Sequence, residues 1–178
     1  MNNKHHFIGV KVSDKVSQVL IGKQEELDVS HYFKKVVSKE DFHLTLLFLG
    51  GWEKTHTLWE RLKMTLTQRT FSLTLNSIGY FGKEAEPRVI WGGVAQSDAL
   101  FNLHKNIICL AQESGFPLEK RPFKPHITIA KSLKASSFNQ SLYLEQEVSW
   151  DVDTLHLFEV NPGKRPMYTS VSKIELSR

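Results

Sequence analysis

Two short segments of this 178-residue chain place a histidine and a threonine two positions apart inside an apolar run. The first is His43-Leu44-Thr45-Leu46, and the second is His126-Ile127-Thr128-Ile129. Residues two apart in a β-strand share one face, so each segment predicts an imidazole and a hydroxyl side by side on a sheet. The two histidines lie 83 positions apart, as do the two threonines, and this repetition argues against a chance histidine.

Paired imidazoles and hydroxyls are suited to in-line displacement at a phosphodiester. One group must deprotonate the attacking oxygen, and another on the far side of phosphorus must protonate the leaving oxygen. Histidine, with an ordinary pKa of about 6.5, can serve in either role. Hydroxyls and a nearby cation stabilise the charge on the phosphate oxygens. The segment 120–134 holds five cations and no carboxylate: Lys120, Arg121, Lys124, Lys131 and Lys134.

The elements that must position these segments also occur twice. Residues 7–12 and 89–94 alternate like strands, and each is followed by a Ser-Asp pair of the kind that begins a helix, at Ser13 and at Ser97. Ile8 and Trp91, like Gly9 and Gly92, share the offset of 83. Residues 71–75 and 150–155 form a third strand-like pair. The sequence therefore predicts a repeated order of strand, helix and histidine-bearing strand.

This repetition predicts the α+β class, as a bilobal duplicated fold with two antiparallel sheets facing a central cleft and the helices outside. The whole chain, residues 1–178, is expected to form one bilobal domain with pseudo-repeats of roughly 1–85 and 86–178. No Gly/Ser-rich or Pro-rich linker separates them. A lobe of about 85 residues buries only a marginal core, so the two lobes should share an interface.

Strict alternation assigns the side chains of the histidine strands to two faces. In the first strand it predicts that Phe42, Leu44, Leu46 and Phe48 enter the core, whereas His43 and Thr45 share the other face with Leu47 and Leu49. In the second strand it predicts a cleft face of Lys124, His126, Thr128 and Ala130. Each lobe would then present one histidine and one threonine to the cleft.

Composition excludes several classes of protein. Apolar residues make up 40% and charged residues 24% of the chain, which is typical of a globular protein. No apolar run approaches the roughly 18 residues of a membrane span, and residues 1–6 lack the apolar stretch of a signal peptide. The single cysteine, Cys109, has no internal partner for a disulfide, which favours a cytoplasmic protein. A monomer is expected, because the sequence has no evident surplus of amphipathic surface.

Neither a metal site nor an ATP site is predicted. Zinc needs three or four converging ligands, and the two histidine-threonine pairs supply only two imidazoles. The Gly163-Lys164-Arg165 segment lacks the upstream glycine of a phosphate-binding P-loop. The net charge of +4 suits an anionic partner without requiring one. The chemistry inferred from the histidines therefore needs no cofactor.

The two histidine segments and their flanking residues resemble those of a known family. The two motifs look like the HxTx pair of the two-histidine (2H) phosphoesterase superfamily. Residues 41–50, 87–91 and 123–130 resemble those of the bacterial RNA 2′,3′-cyclic phosphodiesterases, historically called 2′-5′ RNA ligases. The resemblance covers nearly the whole chain and ends in Pro162-Gly163 and residues 166–169. One HxTx motif alone is weak evidence for the family, but two motifs with this spacing and these flanking residues are specific to it.

The resemblance implies metal-free hydrolysis of RNA 2′,3′-cyclic phosphate ends to 2′-phosphomonoesters. His43 would be the proton donor to the departing 3′ oxygen, and His126 the proton acceptor that activates water. Thr45 and Thr128 would bind the phosphate. Lys131 stands where the family commonly has an arginine, so it keeps the charge but loses the bidentate fork. The residues alone leave open which histidine is acid and which is base, because the two motifs are nearly interchangeable.

Three alternatives remain open at this level. The same site could join RNA ends through 2′-5′ linkages without ATP, or it could open a different cyclic nucleotide phosphate. From another class, the chain could be an RNA-end binding module without catalysis. The presence of both histidines and both threonines argues against that last reading.

Overall fold

The structure, a computed structural model, describes residues 4–118 and 120–178. The prediction that residues 1–6 carry no signal peptide falls partly on residues 1–3, which lie outside this description. The helices of the described chain are α1 (Asp14–Glu26), α2 (Val29–Tyr32), α3 (Thr55–Thr65) and α4 (Asp98–Glu113), with a 3-10 turn at Lys39–Asp41. The strands are β1 (His6–Lys11), β2 (Phe33–Val36), β3 (His43–Gly50), β4 (Phe71–Lys83), β5 (Glu86–Val94), β6 (His126–Leu133), β7 (Val148–Val152), β8 (Thr154–Val160) and β9 (Tyr168–Glu175).

The strands form antiparallel pairs in the order β7-β4-β5-β6-β3-β1-β8-β9, and β2 pairs with the far end of β6. The α+β class is confirmed. Within the described residues, the two halves of the sheet are connected at one pairing, between Leu44 on β3 and Ile127 on β6. The two predicted sheets are therefore present as halves of one hydrogen-bonded sheet that meet between the histidine strands.

The halves of the sheet do not follow the halves of the sequence. β8 and β9 extend the half that contains β1 and β3, whereas β2 and β4 lie in the half with β5 and β6. Residues 71–75 and 148–152, close to the third repeated pair of the sequence, pair directly with each other. The predicted single domain over residues 1–178 stays a prediction.

The register of β1 and β5 corrects the alignment of the repeats by one residue. Gly9 of β1 is opposite Thr45, whereas Trp91 of β5 is opposite Thr128. Gly9 is therefore equivalent to Trp91 at an offset of 82, and the sequence alignment of Gly9 with Gly92 is wrong. Because residues directly opposite each other in antiparallel strands share a face, Trp91 lies on the same face as Thr128.

Both predicted helix starts are confirmed, and each helix packs under the other repeat. The backbone N–H of Val16 donates to the Ser13 hydroxyl, and that of Leu100 donates to the Ser97 hydroxyl, both at 3.3 Å. α1 packs against β6 and β7, whereas α4 packs against β3. Each repeat therefore supplies the helix that covers a strand of the other half, which joins the two halves in one core. Among the described residues, no helix is long and apolar enough to cross a membrane.

Candidate active site

A β-bulge in β3 changes which side chains reach the cleft. The pairing with β1 skips Leu46, so that the alternation of faces reverses after this residue. Leu47 and Leu49 are buried, whereas Phe48 is 56% exposed on the face of His43. The prediction that Phe48 enters the core, with Leu47 and Leu49 on the cleft face, is wrong because the bulge intervenes.

The second histidine strand carries the same irregularity. The pairing of β6 with β5 skips Ile129, and Ala130 is fully buried beside it. The predicted place of Ala130 on the cleft face is therefore wrong. The bulge instead brings Lys131 onto the face that presents His126 and Thr128, which strict alternation would have excluded. A phosphate-binding role for Lys131 thus depends on this local departure from regular pairing.

The two histidine-threonine pairs meet across the centre of the sheet. The single β3–β6 pairing is between the two residues that separate histidine from threonine in each motif. In this antiparallel register His43 lies beside Thr128, and Thr45 lies beside His126. The motifs are thus related by an approximate twofold axis, and each imidazole has the hydroxyl of the other motif as its neighbour.

Both imidazoles are oriented by the same kind of hydrogen bond. Nδ1 of His43 lies 2.7 Å from the carbonyl oxygen of Asp41, and Nδ1 of His126 lies 2.8 Å from that of Lys124. A carbonyl oxygen only accepts, so Nδ1 must carry the proton in each ring. Nε2 is therefore the nitrogen left to exchange protons, and it is the same atom in both halves.

His43 lies in an aromatic enclosure. Its ring centroid is 4.5 Å from that of Phe7, 4.7 Å from that of Tyr168 and 5.8 Å from that of Phe158. Phe7 itself stacks on Phe158 at 4.7 Å. These contacts fix the imidazole plane and keep most water away from it, so the ring is held rigidly before any substrate binds.

Burial dominates the protonation of His43. Burial lowers its pKa to about 4, while the hydrogen bond to the Asp41 carbonyl and the charge of Asp41 act in the opposite direction. The charges of His126 and Lys131 lower the pKa of His43 further. His43 therefore interacts electrostatically with both ionisable groups predicted for the other motif, which places the three in one site.

The second imidazole has a different electrostatic neighbour. Burial lowers the pKa of His126, the hydrogen bond to the Lys124 carbonyl raises it, and the charge of Lys124 lowers it again. The residue two positions before the histidine is thus the anionic Asp41 in the first motif and the cationic Lys124 in the second. An anion favours the imidazolium form of His43, whereas a cation favours the neutral form of His126.

The Asp41 carboxylate is fixed within the protein. It is 7% exposed, accepts a hydrogen bond from the Tyr168 backbone N–H at 3.0 Å, and accepts another from the Ser38 hydroxyl at 2.7 Å. These bonds tie the C-terminal strand β9 to the turn that begins β3. Asp41 was not singled out in the sequence, since its role depends on contacts with a strand 127 positions away.

A second lysine accompanies Lys131. Lys35 of β2 lies directly opposite Lys131 in the β2–β6 pairing. Burial lowers the pKa of Lys131, and the charge of Lys35 lowers it further. A bound anion would stabilise two cations that lie at one position of the cleft. No spacing in the sequence indicates that Lys35 lies beside Lys131.

Lys11 is another cleft residue that the sequence did not mark. It is the β1 residue opposite His43, and its side chain is exposed. Over the described residues, no group of three or more His, Cys, Asp or Glu side chains could hold a metal ion. The charged groups described beside the two histidines are thus four lysines (Lys11, Lys35, Lys124 and Lys131) and the buried Asp41 carboxylate.

Comparison with known proteins agrees with this geometry. The model of the 2′-5′ RNA ligase superfamily matches residues 17–164. The chain is 31% identical over 183 residues to a Geobacillus stearothermophilus protein named RNA 2′,3′-cyclic phosphodiesterase, covering 99% of this chain and 58% of that one. It is 28% identical over 180 residues to a protein of the same name from Bacillus subtilis (strain 168), covering 97% of each.

A solved structure shows the same fold. The crystal structure of E. coli LigT complexed with 3′-AMP aligns with a TM-score of 0.82 at 24% identity, covering 98% of this chain and 99% of that one. The family match extends over both histidine motifs and most of the chain. The chain therefore belongs to the 2′-5′ RNA ligase superfamily of two-histidine phosphoesterases.

Proposed function

We propose that this protein opens 2′,3′-cyclic phosphates at RNA ends and releases 2′-phosphomonoesters, without a metal, by acid-base catalysis between His43 and His126. The observation that carries the proposal is the matched orientation of the two imidazoles, each with Nδ1 bound to a backbone carbonyl and Nε2 left available. The names of the Geobacillus and Bacillus relatives support the substrate.

The reaction follows from two imidazoles placed on opposite sides of phosphorus. Nε2 of His126 takes a proton from water as the water oxygen bonds to phosphorus. The bond from phosphorus to O3′ breaks, and Nε2 of His43 gives its proton to O3′. The phosphate remains on O2′, and the two histidines return to their starting states by exchanging protons with solvent.

The surrounding charges support this assignment of roles. The general acid must be protonated when substrate is bound, although burial holds the pKa of His43 at about 4. The negative charge of a bound phosphate raises that pKa, and the charge of Asp41 acts in the same direction. The Lys124 charge favours the neutral form of His126, which is the form that a general base requires.

The remaining groups bind the phosphate in this proposal. Thr45 and Thr128 donate hydrogen bonds to the non-bridging oxygens from the two sides of the cleft. Lys131, with Lys35 beside it, offsets the negative charge that develops as water attacks. Lysine supplies this charge without the bidentate geometry of the family's usual arginine.

The proposal includes a monomeric, cytoplasmic enzyme that acts without ATP. Joining of RNA ends through a 2′-5′ linkage is the related reaction at the same site, with a ribose hydroxyl in place of water. Hydrolysis of another cyclic nucleotide phosphate would need the same two histidines. A non-catalytic RNA-end binding module would bind the same ends and turn none of them over.

The test uses a short RNA with a 2′,3′-cyclic phosphate, incubated with the purified protein in EDTA, and reads the phosphate position by NMR. Wild type should give the 2′-phosphate, and His43→Ala and His126→Ala should each lose at least about 10²-fold in turnover. His31→Ala, an exposed histidine on α2, is the matched control and should retain wild-type activity.

Each other outcome has a defined meaning. A 3′-phosphate product would contradict the leaving group, and loss of activity in EDTA would contradict the metal-free mechanism. Binding of the RNA without turnover by wild type would favour the binding module. Turnover of a nucleoside 2′,3′-cyclic phosphate with none of the RNA would favour the alternative substrate.

A further inference from the structure

A third histidine lies on the face of the sheet that carries the first motif. His156 of β8 is opposite Gly9 of β1, and Gly9 is opposite Thr45 of β3. Residues directly opposite each other in antiparallel strands share a face, so His156 lies on the face of His43 and Thr45. A Cβ atom at Gly9 would lie 2.6 Å from the Leu44 carbonyl oxygen, so Gly9 contributes no side chain between Thr45 and His156. The proposed mechanism gives this third imidazole no role.

The hydrogen bond of His156 differs from those of the catalytic imidazoles. Its Nδ1 lies 2.8 Å from the Ser170 hydroxyl oxygen. A hydroxyl group can donate, whereas the carbonyl groups that orient His43 and His126 only accept. Ser170 can therefore donate to Nδ1 and leave the ring proton of His156 on Nε2, which has no hydrogen-bond partner among the described residues. In this form His156 presents a free N–H donor on the cleft face.

The charged groups that face His156 come from three neighbouring segments. They are Lys11 of β1, Asp153 just before β8, and Lys173 and Glu175 of β9. Burial and the two lysine charges lower the pKa of His156 to about 4, while the two carboxylates act in the opposite direction. The imidazole is therefore neutral at pH 7, and it offers a ligand a hydrogen bond rather than a charge.

The β9 carboxylate already has partners, whereas Lys11 has none. Glu175 pairs with the Lys173 amine at 2.7 Å and accepts a hydrogen bond from the Thr154 hydroxyl at 3.0 Å. Lys11 is exposed, and its amine has no ion pair or hydrogen bond among the described residues. The polar groups left for a ligand are therefore the Lys11 amine and Nε2 of His156.

A cavity of about 210 Å³ lies beside these two groups, at the end of β1. Lys11 and His156 are among its walls. Asp151 and Asp153 also line it, and each accepts a hydrogen bond from a neighbouring hydroxyl group. The cavity is smaller than most small-molecule sites, which measure about 300–1,000 Å³, so it suits a group of phosphate size rather than a whole nucleoside. An unpaired lysine beside an N–H donor is suited to the oxygens of a phosphodiester.

The proposed mechanism places the terminal nucleoside on this side of the cleft. In-line displacement puts the leaving O3′, and the ribose that carries it, beside His43. Lys11 is opposite His43 on the next strand, and His156 is on the strand after that. Neighbouring strands are about 4.8 Å apart, so the two groups lie roughly 5–10 Å beyond His43. The phosphodiester on the 5′ side of the terminal ribose is one nucleotide from the reacting phosphorus, which is a step of this size.

We propose that Lys11 and His156 bind the phosphodiester on the 5′ side of the terminal nucleoside, so that the protein prefers a chain end to a mononucleotide cyclic phosphate. This inference deepens the proposed function and rests on it. Lys11 supplies the charge, and the N–H of His156 Nε2 donates to a non-bridging oxygen. Neither group transfers a proton at the reacting phosphorus, so both act on specificity.

The experiment compares two substrates that differ in one charge. The first is a uridine dinucleotide with a 2′,3′-cyclic phosphate, and the second is the same dinucleotide with an uncharged methylphosphonate linkage. The specificity ratio is kcat/KM for the first divided by kcat/KM for the second. Lys11→Gln removes the cation, His156→Leu removes the N–H donor, and His156→Gln keeps a donor. Lys105→Gln, at an exposed position of α4, is the matched control.

Wild type should prefer the charged linkage about tenfold or more, which is the usual contribution of a hydrogen bond to a charged group. Lys11→Gln and His156→Leu should each lower the specificity ratio about three- to tenfold, through a higher KM for the charged dinucleotide. His156→Gln should keep most of the wild-type ratio, and Lys105→Gln should keep all of it. A purely structural role of His156 would lower kcat/KM for both substrates by the same factor. Lys11→Gln, at an exposed position, still decides the question if His156→Leu fails to fold.

Several results would overturn the inference. Equal kcat/KM of wild type for the two dinucleotides would show that no group binds the second phosphate. A wild-type specificity ratio in both Lys11→Gln and His156→Leu would place the second phosphate elsewhere. If wild type hydrolyses neither dinucleotide, the proposed function fails, and calorimetric affinities for the two dinucleotides decide the site separately. Equal affinities would then refute the second phosphate site as well, whereas tighter binding of the charged linkage that is lost in Lys11→Gln would support it.

Discussion

Replacement of Asp41 by asparagine separates the charge of this residue from its shape. The carboxylate is buried and accepts hydrogen bonds from the Tyr168 N–H and the Ser38 hydroxyl. An asparagine keeps one oxygen for the Tyr168 N–H and can donate its amide to the Ser38 oxygen. The backbone carbonyl that orients His43 is unchanged. The main change is therefore the loss of one negative charge beside the His43 imidazole.

The sign of the effect follows from the role of His43. The charge of Asp41 raises the pKa of His43, so Asp41→Asn should lower that pKa further below its ordinary value. An opposite charge close to a titrating group shifts the pKa of that group by about one unit or more. A decrease of one unit in the pKa of His43 lowers its imidazolium population about tenfold at pH 7. A stronger acid transfers its proton more readily, which recovers part of the loss. We expect kcat/KM at pH 7 to fall roughly three- to tenfold.

The assay is kcat/KM for the RNA cyclic phosphate between pH 5 and 9, with Asp151→Asn as the control. Asp151 is an exposed aspartate on β7 that accepts a hydrogen bond from Ser72, so its replacement should leave the profile unchanged. The loss in Asp41→Asn should stay nearly constant across this range, because the whole range lies above the pKa of His43, about 4. A general base with a lowered pKa would keep its neutral form at pH 7. Unchanged or increased activity there would therefore refute the assignment of His43 as the acid.

Three further substitutions test other parts of the structure. Lys131→Met should lower kcat about 10–10³-fold because it removes a cation from the charge that develops on the phosphate. Lys131→Arg keeps the cation and should retain most of the wild-type kcat. Equal kcat of Lys131→Met and wild type would exclude a catalytic role for the charge at this position. Leu44→Ala, at a fully buried position between His43 and Thr45, should reduce the free energy of unfolding by about 2–5 kcal/mol in urea titrations, and a change below about 1 kcal/mol would contradict tight packing there. Gly79→Ala should destabilise the protein by about 1–3 kcal/mol, since its methyl group meets the Trp91 ring; unchanged stability would show that the indole moves freely.

Local sequence patterns predicted much of the fold. Alternation and Ser-Asp pairs located β1, β3, β5, β6 and the two long helices α1 and α4, because these features depend on residues close together in the chain. They also predicted that each histidine shares a face with its threonine, since the two are adjacent on one side of a strand before any bulge occurs. The short elements α2 and β2 were not predicted, because four-residue elements carry too little periodicity.

The electrostatic differences between the two halves depended on tertiary contacts. The sequence contains Asp41 and Lys124 at equivalent positions, but the burial of the carboxylate and its bonds to Tyr168 are set by the docking of β9. Lys35 reaches Lys131 only because β2 pairs with the far end of β6. Neither contact could be predicted from the spacing of these residues in the sequence.

The residues available for chemistry were evident from the sequence: two imidazoles and two hydroxyls repeated at a spacing of 83 positions, with lysines around the second pair. Phe48 and Lys131 join the histidine faces through strand pairing, since each is brought there by a bulge. A bulge is a mismatch in length between a strand and the neighbour it pairs with. It is therefore a property of two strands together, and the periodicity of one strand cannot contain it.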